Sequence, residues 1–298
     1  MPKLSSGALL VLGAAFCWSI SGACIKTAQT AFDSAQISGL RSGFALLFLC
    51  AVIRPWRGKL IPRPVVLLLS AVYAGMLVLF VQANLFTTSA NAIFLQDTAP
   101  VWVSLLAPLA LKEPFRLRDV GYLLACVGGI GLLFVGEVNL EAAPGQAPLL
   151  GNGLAICSGL MYAIVVMGLR WGRAKTLPTG TTPQKGPTEA EQIVLWGNLF
   201  GMLACIPFMG HFAPETQLGT PLAIVALLGI VQLGLGYYLF TLGVTHVPAA
   251  QAAMLGLLEP VLNPVWAYFF AHESPTPWAL AGGFVILASV TLMSLRKE

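Results

Sequence analysis

Glu259 is the residue of this sequence with the clearest capacity for chemistry, because it is a carboxylate inside a long apolar run. It lies in the segment LLEPVLNPVW, directly before Pro260 and near the middle of a stretch long enough to cross a membrane. An acidic side chain at that depth costs at least ~2.5 kcal/mol to insert, so we expect it to line a cavity. Two interpretations carry equal weight. Proton binding at Glu259 is coupled to substrate loading, or Glu259 is a structural acid bonded to backbone that Pro260 and Pro264 leave free.

Arg41 and Asp97 are two further charges inside apolar stretches. Each lies near the outer end of its predicted helix, at matching depth. Paired charges inside a membrane lower each other's insertion cost, which favours an ion pair that seals the outer part of the bundle. The alternative is functional: an outer gate that opens when the pair breaks, or an anchor for a zwitterionic ligand.

Three aromatic residues lie near the middle of the membrane, at the depth of Glu259, and a fourth lies further out. Trp18, Trp102 and Tyr162 fall in the middle of their apolar stretches, and Trp266 lies two turns outward from Glu259. Aromatic rings that converge on a carboxylate would form a box for an aromatic ring or an organic cation. For any single ring, space filling is the simpler interpretation.

Two amides complete the candidate binding residues. Gln232 lies in the middle of its stretch, and Asn263 is one helical turn from Glu259. Either side chain could hydrogen-bond a polar ligand. Each could equally join two helices, a contact worth ~0.6 kcal/mol on average inside membranes.

The elements that carry these residues are predicted to be transmembrane helices. Only 9% of the 298 residues are charged and 57% are hydrophobic, which lies outside the range of soluble domains. Long apolar runs predict ten spans, so the fold class is an all-α membrane protein. The predicted spans are Gly7–Thr27, Gln36–Ile53, Pro64–Phe86, Asn91–Leu111, Val120–Val138, Leu150–Leu169, Gln192–Met209, Pro221–Leu242, Ala249–Ala271 and Trp278–Leu295.

Enzyme and metal chemistry are not indicated. The sequence has no HExxH, P-loop, GxSxG or glycine-rich dinucleotide motif. Its six cysteines fall inside the spans without metal-ligand spacing, and its three histidines lie at loops. We therefore predict that the protein is not an enzyme and uses no metal or other cofactor.

The basic residues indicate how the chain is oriented. With a cytoplasmic N-terminus, fourteen of the sixteen lie in inner segments, Lys26 is outside and Arg41 is within a span. Such a bias is the positive-inside signal of membrane proteins. It predicts that both termini are cytoplasmic, and it leaves nothing to suggest nucleic acid binding.

The chain is built twice. Adding 160 to a residue number places Pro100 on Pro260, while Ala99 falls on Glu259, so the central acid occurs in one copy only. The offset is 144 at the first span, and this change locates an insertion rich in Thr, Pro, Gly and Lys. We predict a first repeat over 1–140, a second over 150–298, and a flexible cytoplasmic loop at about 172–191.

The two repeats are predicted to have opposite orientations in the membrane. Each holds five spans, an odd number, so the second copy must enter from the other side. The loop 112–119 (KEPFRLRD) holds three basic residues, whereas its equivalent 272–279 (HESPTPWA) holds none. Related loops with opposite charge bias fit opposite faces of a membrane.

Several motifs resemble one family. These are AFCWS around Trp18, RSGF from Arg41, TAPVW with the later Lys112-Glu113, and LLEPVLNPVWAYFFAHE. They resemble the EamA family of the drug/metabolite transporter superfamily over essentially the whole chain. The resemblance implies a ten-helix bacterial inner-membrane carrier, often an exporter of amino acids or other small metabolites, with a cavity between its halves. Asp97 departs from the family pattern, which usually has an uncharged residue there.

Together these observations predict a secondary transporter that works by alternating access, with a small-molecule substrate and the lipid bilayer as its partners. It is expected to export a small amphipathic metabolite such as an amino acid, and possible assembly states include a monomer. Two alternatives stay open: an uptake carrier for a quaternary amine or similar solute, and a non-transporting membrane enzyme or scaffold.

Overall fold

The computed structural model describes residues 5–29, 31–58, 61–87, 89–113, 117–133, 135, 147–174, 186–210, 219–266, 268–269 and 276–294. Within these ranges the chain forms helices and their connections, with no strand. The α-helices are α1 (Ser6–Ser19), α2 (Ser21–Ala28), α3 (Ser34–Ile53), α4 (Pro64–Phe86), α5 (Ser89–Gln96), α6 (Ala99–Ala110), α7 (Leu117–Leu133), α8 (Pro148–Ala174), α9 (Glu189–Cys205), α10 (Gly219–Leu227), α11 (Gly236–Gly243), α12 (Ala249–Gly256), α13 (Leu258–Trp266) and α14 (Pro277–Ser294). A π-helical segment, Leu228–Leu235, joins α10 to α11.

The prediction of an all-α membrane protein is confirmed. Six helical stretches among the described residues are long and apolar enough to cross a membrane. Three shorter apolar helices are α1, α7 and α14. Large apolar side chains cover the outside of the bundle, as Leu47, Leu109 and Phe284 illustrate with exposed fractions of 68%, 82% and 74%. Lipid is the solvent that suits such a surface.

The predicted spans correspond to the observed helices with local differences. The span Pro64–Phe86 has the predicted bounds. The spans predicted as single helices from Gly7, Asn91 and Ala249 each consist of two helices. The predicted loop at 172–191 is shorter at both ends, because α8 continues to Ala174 and α9 begins at Glu189. Residues 175–185 lie outside the described part.

Proline explains two of the three helix breaks. Pro100 and Pro260 have no N–H to bond the carbonyl four residues earlier, so the backbone departs from the helix just before each of them. The first break lies between α5 and α6, and the second lies at Leu257 between α12 and α13. Adding 160 to Asp97 gives Leu257, so the two repeats are broken at the same place.

The third break has no proline. The Ser19 hydroxyl donates to the carbonyl oxygen of Phe16 at 2.7 Å, and α1 ends at this residue. A serine that bonds back to the preceding turn competes with the helix and bends it. The repeat partner of this span, α8, is unbroken from Pro148 to Ala174. The repeats therefore differ where proline does not dictate the backbone.

The two repeats pack closely against one another. Helix α4 lies against α8 and α9, α3 against α9 and the π-helical segment, and α1 against α11 and α12. Helix α12 also contacts α6, so the two proline-broken spans meet. The main buried cluster includes Trp18, Tyr73, Met76 and Phe240, drawn from both repeats. This shared core encloses the candidate residues.

Candidate functional site

Two carboxylates lie at the repeat-related breaks. Asp97 occupies the break between α5 and α6, and Glu259 lies in the first turn of α13, directly after the break at Leu257. Because α6 packs against α12, these breaks are neighbours, and the two carboxylates are close enough for their charges to interact. The repeat thus brings together two acids that are distant in the chain.

Glu259 is positioned by α13 and by the break after α1. Its side chain is half-buried, and the Ser21 hydroxyl at the start of α2 lies within hydrogen-bonding reach of the carboxylate. The positive end of a helix dipole also favours an acid in the first turn. These contacts fit a structural acid and leave a carboxylate face open to a ligand.

Trp18 is the centre of an aromatic cluster beside the two acids. Its ring centroid lies 6.0 Å from Tyr162, 5.0 Å from Tyr237 and 5.3 Å from Phe240. Gly236 makes this packing possible, since a Cβ atom there would lie 2.6 Å from the Trp18 Nε1 atom. Tyr162 is close enough to both Glu259 and Asp97 for electrostatic interaction with their carboxylates. Tyr162 therefore lies between the Trp18 ring and the two carboxylates, and a binding box at this place stays a prediction.

Arg41 and Asp97 form no ion pair within the described residues, and their role in sealing or gating the bundle stays a prediction. Arg41 is only 1% exposed, its Nε and Nη2 atoms have no hydrogen-bond partner, and the same holds for Oδ2 of Asp97. The titratable groups near Arg41 are the uncharged side chains of Tyr73, Tyr237 and Cys205, whereas the one near Asp97 is Glu259. Equal depth in the membrane does not place two side chains on the same side of a bundle.

Trp266 and Asn263 follow Glu259 along α13. The Trp266 indole N–H donates to the Ser19 hydroxyl at 2.8 Å, and its ring meets Phe16 edge-on with centroids 5.7 Å apart. Trp266 therefore packs on the break after α1 rather than in the aromatic cluster. Asn263 is half-buried and lies four residues after Glu259, on the same face of the helix.

Three candidate side chains end in buried polar atoms without a hydrogen-bond partner. They are Trp18 Nε1, Trp102 Nε1 on α6, and Gln232 Oε1 in the π-helical segment. Buried polar atoms in proteins are nearly always bonded, so exceptions call for an explanation. These atoms are the groups best able to bond a polar ligand or a water molecule.

Sequence reasoning missed Ser21 and Tyr73. Tyr73 is fully buried, its ring centroid lies 4.8 Å from Tyr237, and its hydroxyl accepts a hydrogen bond from Asn198 at 3.3 Å. A tyrosine within an apolar run and a serine near a span end are ordinary in membrane helices, so no sequence signal distinguished them.

Two other kinds of site were considered in the part of the chain that the structure describes: a metal site and a surface groove. No three His, Cys, Asp or Glu side chains in those ranges come close enough to hold a metal ion. A groove of about 390 Å³ lies between α7 and α14, lined by Tyr122, Phe284 and Leu292 among others, and no candidate binding residue lines it.

The chain has apolar helical spans in two related sets, and charged and aromatic side chains meet at breaks inside the bundle. These features define a multi-pass membrane transporter. The model of the EamA-like transporter family matches residues 5–135 and 149–295. The chain therefore belongs to the EamA-like transporter family. The resemblance stated from the motifs is confirmed, and the protein is a transporter and not an enzyme.

Relatives over most of the chain agree with this class. The pseudopaline exporter CntI of Pseudomonas aeruginosa is 26% identical over 99% of this chain and 98% of its own. An uncharacterized transporter of Archaeoglobus fulgidus is 28% identical over 87% and 86%. The biotin transporter of Escherichia coli K12 is 23% identical over 84% and 80%. A crystal structure with 18% sequence identity matches 98% of this chain and 97% of its own with a TM-score of 0.77, which shows a shared fold.

Proposed function

We propose that this protein is a secondary transporter that exports a small amphipathic metabolite, an amino acid or related compound, from the cytoplasm by alternating access. It would act in a bacterial inner membrane, as a monomer, with both termini in the cytoplasm. Trp18, Trp102, Tyr162, Gln232, Glu259, Asn263 and Trp266 would surround the substrate. Arg41 and Asp97 would act in binding rather than as a paired seal.

The observation that carries this proposal is the cluster at the two proline breaks. Asp97 and Glu259 lie close to one another and to Tyr162, Arg41 lies close to Tyr73 and Tyr237, and the Trp18 ring packs against both Tyr162 and Tyr237. A substrate with an ammonium group, an apolar middle and a carboxylate matches that order of charges. Charges kept without partners inside a membrane are costly, which favours a functional reason for keeping them.

The broken spans support alternating access. In inverted-repeat transporters the site lies where discontinuous helices of the two repeats meet, and one repeat rocks against the other around it. Here the spans of α5–α6 and α12–α13 are broken at equivalent positions and touch one another. Each break is a point at which half of a span could tilt.

The relatives support export and leave the substrate open. One is named an exporter of pseudopaline and another a transporter of biotin, at 26% and 23% identity. Similar chains thus carry different cargoes. Membership of the family therefore does not identify the substrate of this protein. The substrate class that we propose rests on the charged residues at the site.

A second candidate is uptake of a quaternary amine or similar cation. It is favoured by the two carboxylates near Tyr162, whose ring packs against Trp18, since aromatic rings bind such cations. Uptake into everted vesicles compared with whole cells separates the two directions. Faster accumulation in everted vesicles supports export, and faster accumulation in whole cells supports the uptake carrier.

A thermal-stability screen of the purified protein tests the substrate class. A ligand at 100 times its Kd stabilises the folded state by about 2.7 kcal/mol, which is a measurable rise in Tm. We expect amino acids or related zwitterions to raise Tm. The same ligands should then be transported by proteoliposomes.

Matched tryptophan variants test the site. Trp18→Phe removes the buried indole N–H from the cluster, whereas Trp278→Phe changes a tryptophan that is 54% exposed. We expect the ligand-induced rise in Tm to fall at least several-fold in the first variant and to persist in the second. Equal responses in both would contradict the proposed site.

A further inference from the structure

Arg170 and Glu113 form a polar cluster at the end of the bundle, away from the central site. Arg170 Nε donates to Oε1 of Glu113. Arg170 Nη1 donates to the carbonyl oxygens of Val244, Thr245 and Val247 at 2.8, 3.2 and 2.6 Å. Glu113 Oε2 accepts from the backbone N–H of Ala249 at 2.9 Å. We name these two side chains and their hydrogen bonds the end clamp.

The end clamp joins helix ends that carry the central site. Arg170 belongs to α8 and bonds the carbonyls that follow α11, where a cation is favoured by the helix dipole. Glu113 follows α6 and bonds the first N–H of α12, where an anion is favoured. Helix α6 begins next to Asp97, and α12 leads to Glu259. The clamp therefore ties the C-terminal end of the α5–α6 span to the N-terminal end of the α12–α13 span.

The clamp also joins the two repeats. Glu113 is in the first repeat, while Arg170 and Ala249 are in the second. The clamp lies at the end that also holds Arg63, Arg173, Glu189 and Glu191, the residues of the other two ion pairs within the described part. That end has the predicted cytoplasmic loops. Any motion that parts the repeats there has to pull Glu113 away from Arg170.

The two charged side chains of the end clamp can separate at moderate cost. The side chains of Arg170 and Glu113 are 22% and 19% exposed, so water can reach and solvate both charges when they part. Lys112, directly before Glu113, has a φ of 56°, a left-handed conformation that costs about 1–2 kcal/mol for a residue other than glycine. This turn directs Glu113 back over the ends of α8 and α12. Strained backbone next to a charge pair is typical of switching elements.

We propose that Arg170 and Glu113 are a gate: the end clamp holds this end of the transporter closed in the conformation described, and it separates each time this end opens. The inference rests on the proposed alternating access. The same sequence offsets place Lys26 and Glu273 at the equivalent positions of the other copy, so each repeat supplies one acid and one base. The side chains of Lys26 and Glu273 lie outside the described residues.

A single reporter cysteine measures whether the gate is open. Ala107 is 3% exposed on α6, which packs against α8 and α12 near the clamp. Ala107→Cys is introduced after the six native cysteines have been replaced, and the full-length protein is embedded in inside-out vesicles. The rate of labelling by a membrane-impermeant maleimide reports opening of this end without any substrate. It therefore tests the gate even if the substrate class proposed above is wrong.

We expect Glu113→Gln to speed labelling at Ala107→Cys at least tenfold. Arg170→Lys, which keeps the charge but loses the guanidinium fork, should speed it to a smaller extent. Glu191→Gln is the matched control, because Glu191 pairs with Arg173 at 3.3 Å, has a similar exposure, and joins two segments of the same repeat. Glutamine also retains its capping contact with Thr188 at the start of α9. Labelling of this control should stay within twofold of the wild-type rate.

Two results would overturn the gate. One is an unchanged labelling rate in both Glu113→Gln and Arg170→Lys, which would make the clamp a static structural contact. The other is an equal increase in Glu191→Gln, which would show general loosening of the bundle. A Glu113→Gln protein that cannot be purified in folded form leaves Arg170→Lys to decide between the same outcomes.

Discussion

Charged residues at the end clamp and in the centre of this transporter differ in how fully they are hydrogen-bonded. At the end clamp, Arg170 and Glu113 share five hydrogen bonds with each other and with helix ends. In the centre, Arg41 and Asp97 each keep buried polar atoms without a partner. From this contrast we infer that Arg170 and Glu113 stabilise the conformation described. Arg41 and Asp97 reduce stability and are available for ligands. Substitutions in the two regions should therefore differ in sign.

Arg170→Met should have the largest effect on stability. It leaves the half-buried Glu113 carboxylate and several backbone carbonyls without their donor, a loss of about 3 kcal/mol. For a protein of this size we expect Tm in detergent to fall by roughly 6 °C. Differential scanning calorimetry of the purified variant measures it. A Tm equal to that of the wild type would remove the distinction between the two regions.

Asp97→Asn should act in the opposite direction. The amide has the same shape, carries no charge, and relieves the repulsion by Glu259, so we expect the free energy of unfolding to rise by about 1 kcal/mol. The same variant should lose the ligand-induced rise in Tm. Asp119→Asn, in the first turn of α7, is the control and should change neither quantity appreciably. Destabilisation by Asp97→Asn would mean that the acid has a structural role.

Glu259→Gln should alter the pH dependence of transport more than stability. Glutamine cannot take up a proton, so a pH dependence that arises at this carboxylate disappears, with rates within about twofold between pH 5.5 and 8.5. Proteoliposome assays across that range measure the profile. A variant that keeps the wild-type profile would assign Glu259 to structure alone.

Arg63→Gln should have the smallest effect. Arg63 pairs with Glu189 at 3.2 Å, but its side chain is 59% exposed, and exposed ion pairs contribute little. We expect a change in unfolding free energy within about 0.5 kcal/mol, checked by the same calorimetry. A large loss would show that exposure does not separate this pair from the end clamp.

The parts of the fold that depend on local chemistry could be predicted. Apolar length located the spans, and the missing N–H of Pro100 and Pro260 accounts for two of the breaks, although both spans were predicted as single helices. The break after Ser19 and the π-helical segment around Gln232 could not be predicted, because no residue there forbids a continuous helix. Packing between neighbouring helices decides those backbones.

Membrane depth and angular position explain which of the candidate site residues lie close together. Trp18, Tyr162 and Glu259 were expected to meet, and the structure brings them together. Arg41 and Asp97 were matched by depth alone, yet they interact with different neighbours. Residue spacing gives depth along the membrane normal, but it does not give the position of a helix around the bundle.

Residue types and their order were sufficient for the membrane class, the family and the presence of Glu259 inside an apolar span, because these follow from transfer energies and from the spacing of motifs. The arrangement of helices decided that Asp97 faces Glu259 and that Arg170 closes over Glu113. Those contacts join residues far apart in the chain, and their formation depends on how the helices pack together, which no local pattern in the sequence encodes.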